Sequence, residues 1–122
     1  MASYTLSPIF DPQYVATGAA ALQFAVGSSA ASVPTGFNYM ISVFRVSNPT
    51  ANGVTLQIWR VPAGEAADGQ HIIIPQFTVP AGTEQDLTAL WGDVLQPGDA
   101  IWALAGTADA LVVHGDGVVI TL

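Results

Sequence analysis

Residues 37–61 read FNYMISVFRVSNPTANGVTLQIWRV. Over 37–47 the side chains alternate with the two-residue period of a strand, which sends successive residues to opposite faces. Tyr39, Ile41, Val43 and Arg45 are expected on one face, and Met40, Phe44 and Val46 on the other. Residues 48–53, NPTANG, carry Asn-Pro and Asn-Gly, both strong turn signals. Alternation resumes over 54–61, with Val54, Leu56 and Ile58 opposite Thr55, Gln57 and Trp59. Two strands flanking a short turn predict an antiparallel hairpin.

Proline and glycine punctuate the rest of the chain at similar intervals. Residues 3–10 form a short segment closed by Asp11-Pro12, and 20–26 alternate weakly. Residues 27–36, GSSAASVPTG, have too few large side chains to bury and read as a loop. Residues 62–69 form a loop, and 71–79, HIIIPQFTV, a β-branched strand. Pro75 has no N–H to give a ladder, so it belongs at an edge or a bulge. After a turn at 80–83, residues 86–95 have room for one helical turn over 87–90. A turn at 97–99 leads to a strand over 100–105, a turn at 106–109 and a strand over 110–114. Residues 115–117, GDG, either turn or bulge the chain before 118–122.

No sustained helical period appears. About eight strands at this spacing predict an all-β chain, a single-domain antiparallel β-sandwich of jelly-roll type. Residues 37–122 are expected to form the sandwich body, and 1–36 an amino-terminal arm with short strands. The expected core is Ile41, Phe44, Leu56, Ile58, Ile74, Phe77, Ile101, Leu104, Leu111, Val113 and Ile120.

Composition narrows the function. The 122 residues suffice for one core. Charged residues are only 9% of the chain, against roughly a quarter in ordinary soluble domains, while hydrophobic residues are 51%. Lys is absent, and Arg45 and Arg60 face nine carboxylates, for a net charge of −7. That balance disfavours nucleic acid and anionic lipid, which need a basic face, and favours a basic protein surface. With no Cys, disulfides and thiolate metal sites are excluded. The first ten residues, MASYTLSPIF, lack the basic and apolar regions of a signal peptide. No apolar run approaches about 20 residues, so no transmembrane helix is expected. A sparsely charged, apolar chain stays soluble if copies of itself or a partner cover part of its surface.

Residues 90–106, LWGDVLQPGDAIWALAG, concentrate the chemistry. Asp93 and Asp99 beside Trp91 and Trp102 suggest either a carbohydrate or calcium site or the corner of a turn. Pro97 fixes φ, Gly98 permits positive φ and Asp99 bonds nearby amides, so a turn accounts for the motif. Calcium asks for six to eight oxygens in a compact loop, and no EF-hand spacing occurs. His71 and His114 each flank a strand, without a nucleophile motif such as GxSxG and without close metal-ligand spacing. The pairs Glu65/Asp68 and Glu84/Asp86 lie in polar loops and read as solvated charge rather than a hydrolytic pair. No catalytic residue, cofactor site or metal site is assigned. Arg45 and Arg60, near the ends of their strands, should seek carboxylates within the chain or across an interface. With Trp59 and Trp102, they are the interface candidates.

The order of strands and turns over 37–61 and over 79–106, the latter holding PAGT, PGD and IWALAG, resembles small β-sandwich virion proteins of tailed bacteriophages, in particular capsid decoration or cement proteins. The resemblance implies a non-enzymatic subunit on the capsid surface, made in the host cytoplasm. Its implied partners are itself, as a dimer or trimer, and the major capsid protein, whose capsomers it would bridge. It also implies that residues 1–36 reach a neighbouring subunit. The alternative is a carbohydrate- or receptor-binding module of a tail fibre, stacking sugars on Trp59, Trp91 or Trp102. A cupin-type enzyme ranks last, because its clustered metal-binding His are missing from the pattern.

Overall fold

A computed structural model describes residues 3–25 and 31–122. Among the described residues, nine strands and two short 3-10 turns make up the regular structure: β1 (Ser3–Tyr14), β2 (Ala20–Ala21), β3 (Phe37–Asn48), β4 (Val54–Val61), β5 (Ile72–Val79), β6 (Thr83–Asp86), β7 (Val94–Leu95), β8 (Ala100–Ala105) and β9 (Val112–Thr121). The turns are Gly69–His71 before β5 and Thr88–Leu90 between β6 and β7, the latter where the sequence left room for one. Sheet A has the order β1-β9-β3-β6, with β7 continuing the β6 side of β3; sheet B has the order β2-β8-β4-β5. All pairings are antiparallel. The chain crosses from one sheet to the other at every connection except β4–β5 and β6–β7. This is the jelly-roll winding of a β-sandwich, as the strand spacing predicted.

The expected hairpin between β3 and β4 does not form. Both edges of β3 are already paired, one with β9 and the other with β6 and β7. Residues 48–53 therefore carry the chain across to sheet B, so the inner faces of β3 and β4 meet inside one core. Asn48, only 1% exposed, holds this arch. Its amide donates to the carbonyls of Asn52 (2.8 Å) and Val79 (2.9 Å), and its Oδ1 accepts from the Thr50 amide and hydroxyl.

The alternation expected over 37–47 breaks at Ser42. Ile41 pairs with Gly117 and Val43 with Asp116, so Ser42 is an extra residue on β3. The bulge switches parity, and Tyr39, Ile41, Phe44 and Val46 all face inward. Opposite it, β9 runs unbroken from Val112 to Thr121, so 115–117 is a site of close strand approach within a ladder and not a turn. A Cβ on Gly117 would run into the Met40 carbonyl, and one on Gly115 would lie 2.9 Å from the Val43 carbonyl oxygen. Pro75 lies in a bulge of β5, which is also an edge strand, as its missing N–H requires.

Residues 3–25 are part of the body rather than an appended arm. β1 is the edge of sheet A and β2 the edge of sheet B. Phe10 and Phe24 stack at 4.8 Å, and each meets a further aromatic edge-on, Phe44 at 5.4 Å and Tyr39 at 5.1 Å. Ile9, Val15 and Leu22 are buried with them. The weak strand read over 20–26 is ordered as a strand only at Ala20–Ala21, and its last residue lies outside the described residues. So do residues 27–30 of the loop read over 27–36. Of the expected core, Leu104 and Ile120 instead lie on outer sheet faces, half-buried, while Ile74 and Phe77 pack at the core margin.

Candidate interaction surface

Register places a run of apolar side chains on the outer face of sheet A. Leu6, Val118, Met40 and Val94 form one row across β1, β9, β3 and β7. Tyr4, Ile120 and Asn38 form the next. Partners in an antiparallel ladder share a face, and the intervening Tyr39, Leu95 and Val119 point into the core. Leu6 is 85% exposed, Tyr4 71% and Val94 38%. Residues 3–6 are exposed on both faces of the strand. Beside this run, a shallow depression of about 400 Å³ is lined by Leu6, Ser7, Pro8, Ser42, Asp116 and Gly117. Its apolar wall comes from Leu6 and Pro8, and exposed Asp116 supplies an anionic rim.

The same face is charged at its other end. Arg45, on β3, reaches Glu84 (2.9 Å) and Asp86 (2.6 Å), both on β6. The Asp86 hydrogen bond, and then the charges of Asp86 and Glu84, hold the guanidinium above its ordinary range. The arginine thus finds its carboxylates within the chain. His114 is its register partner on β9.

Arg60 lies on β4, in the other sheet. It projects from sheet B toward sheet A. Its guanidinium donates to the Val94 carbonyl at 2.7 Å and lies 3.8 Å from Asp93 and 3.7 Å from Asp99. Asp99 is 8% exposed and accepts from the amides of Gln96 (2.9 Å) and Ala63 (3.2 Å). The PGD motif is therefore a turn corner, as its chemistry suggested. Sequence reasoning did not foresee that its aspartate, with Asp93, would gather around Arg60 and tie the two sheets together.

Trp59 and Trp102 are register partners on the outer face of sheet B. Trp59 is 6% exposed, and the Gly69–His71 turn packs against its strand. Trp91 is 38% exposed and its indole N–H donates to the Phe44 carbonyl at 3.2 Å. The three tryptophans thus do not form one platform. His71 sits in the β4–β5 loop, its Nδ1 2.9 Å from both the Ala66 carbonyl and Asp68 Oδ1. His71, in the β4–β5 loop, and His114, on β9, lie on different elements. Among the described residues no group of three or more His, Asp or Glu is placed to hold a metal.

The apolar row went unread in the sequence because its members come from four strands. Only Tyr4 and Leu6, spaced by two in an extended segment, carry a local sign of it.

No protein-family model matches the chain. No curated protein matches it either. Among solved structures, the chain is similar to one described as the structure of infectious bursal disease virus Gx strain. The TM-score is 0.46 at 10% identity, and the match covers 100% of this chain and 33% of that one. The chain therefore spans about a third of the length of that structure's chain.

Proposed function

We propose that this chain is a non-enzymatic structural subunit of a virion, a decoration or cement protein that docks on a capsid shell and bridges its capsomers. The observation that carries this reading is the apolar outer face of sheet A, Tyr4, Leu6, Met40, Val94, Val118 and Ile120. An apolar patch rimmed by polar groups is the usual mark of a contact surface, and here both cationic side chains are already engaged by the chain's own carboxylates. The jelly roll hosts capsid and lectin domains and cupins alike, so function is argued from the surface and not the winding. The resemblance of 37–61 and 79–106 to phage decoration proteins adds to the reading. Asp116 and the net charge of −7 suit a partner with a basic rim.

The test is co-sedimentation of the purified chain with expanded capsid shells. Val94→Glu places a charge in the patch at an exposed position, and binding is expected to fall by about tenfold or more with unchanged folding. A wild-type chain that does not sediment with shells sinks the proposal. A glycan-array signal abolished by Trp91→Ala would favour the tail-fibre alternative instead.

A further inference from the structure

The edge of β1 has two unlike halves. Over its second half the edge is covered by residues 23–25. The Ala25 amide donates to the Ile9 carbonyl at 2.8 Å, and Gln13 exchanges two hydrogen bonds with the backbone of Gln23, each 2.9 Å. Pro8 and Pro12 have no N–H to offer there. Over residues 3–7, SYTLS, no strand covers the edge among the described residues. An uncovered edge is a template for another strand, and natural sheets usually blunt it with charge, proline or a bulge. This stretch has none of the three: its register from Ser3 to Ser7 is unbroken and it contains no charged residue or proline.

We propose that residues 3–7 pair antiparallel with the same residues of a second copy, joining two sheets A into one continuous sheet about a two-fold axis at Thr5. The inference rests on the reading of the chain as an assembly subunit and specifies how copies of it associate. Pro8 ends the available ladder on one side, so the pairing segment is centred on Thr5. Thr5 then faces its own symmetry mate, Tyr4 faces Leu6 and Ser3 faces Ser7. Each exposed apolar side chain meets another on the outer face, and the apolar rows of the two copies become continuous. Charge selects a copy over a basic protein at this edge. Neither residues 3–7 nor their β9 partners, 117–121, include a carboxylate to attract one. An isologous contact pairs like with like, which a neutral strip tolerates and a charged one does not. The remaining repulsion between two copies of charge −7 acts at longer range and is screened by salt.

The chain has no Cys, so a single introduced thiol reports the contact cleanly. Opposed residues in an antiparallel ladder have Cα atoms about 4.5–5.5 Å apart, within disulfide range. Thr5→Cys is expected to oxidise to a covalent dimer, while Thr107→Cys, on an exposed loop, stays monomeric. In sedimentation equilibrium the wild type should dimerise more tightly as ionic strength rises. Leu6→Lys should weaken the dimer by about tenfold or more, although it lowers the net negative charge. Val94→Glu, remote from the edge, should leave the dimer intact while losing shell binding. A wild-type chain that stays monomeric, with no Thr5→Cys cross-linking above the Thr107→Cys level, overturns the inference. So does a dimer insensitive to Leu6→Lys and uncross-linked by Thr5→Cys, and neither result bears on shell binding.

Discussion

Gly117 shows how one missing Cβ lets β9 lie against a bulged neighbour. A methyl there meets the Met40 carbonyl, which is held in the ladder and cannot retreat. Gly117→Ala is therefore expected to destabilise the fold by about 1–3 kcal/mol. Gly18→Ala, with nothing within 4 Å of the new Cβ, should change stability by less than about 0.5 kcal/mol. Urea midpoints of the two variants check the contrast. Asn48→Ala strips the buried Val79 carbonyl of its side-chain donor and should cost about 1–3 kcal/mol in the same assay. Tyr39 is titratable inside the core, and burial raises its phenol above the ordinary 10.0. The folded state then holds this proton more tightly than the unfolded chain does. The resulting stability is complete below pH 10 and is lost as pH rises through the folded value. Tyr39→Phe should accordingly flatten the fall of the urea midpoint above about pH 10.

At the scale of elements, β1 anchors itself in the core through Ile9 and Phe10 and leaves residues 3–6 exposed, and mutations should follow that division. Phe10→Ala removes a ring from the aromatic cluster and should cost about 3–5 kcal/mol, whereas Leu6→Ser, 85% exposed, should leave the thermal midpoint of dilute protein nearly unchanged. Most strands were legible in the sequence because period-two alternation and turn residues are local signals. The turn at Thr88–Leu90 and the corner at Asp99 were legible for the same reason. What stayed hidden depends on partners distant in sequence. Ser42 is an ordinary polar residue in its own strand, and only its register against β9 makes it a bulge. The NPTANG stretch has good turn chemistry for a hairpin, but occupied edges on β3 made it an arch. The packing of the amino-terminal segment was hidden too, because Phe10 and Phe24 stand among mostly small and polar residues in the sequence. Each buries its ring against aromatics from elsewhere. The apolar surface was hidden likewise, since β1, β9, β3 and β7 supply one or two side chains each.

For the whole molecule, two arginines hold separate ends of the sandwich. Arg45 works along sheet A and Arg60 across to it from sheet B. Arg60→Met should lower stability by about 1–2 kcal/mol, since the Val94 carbonyl loses its charged donor and Asp93 and Asp99 lose their counter-charge. Arg45→Met touches only exposed partners and should fall well short of that when the two are compared by calorimetry. Contacts in this winding are mostly between residues distant in sequence, which places its refolding in the millisecond-to-second range of β-sandwiches. β9 lies between β1 and β3 in sheet A, yet its residues follow theirs by many positions in the chain. On the ribosome, both flanking strands emerge with an empty slot between them; β3 can already pair with β6 and β7, but β1 has no partner in its sheet until translation has passed residue 121. Through that interval the nascent chain keeps the core face that β9 will cover open to water, and it is then that a chaperone would find something to hold.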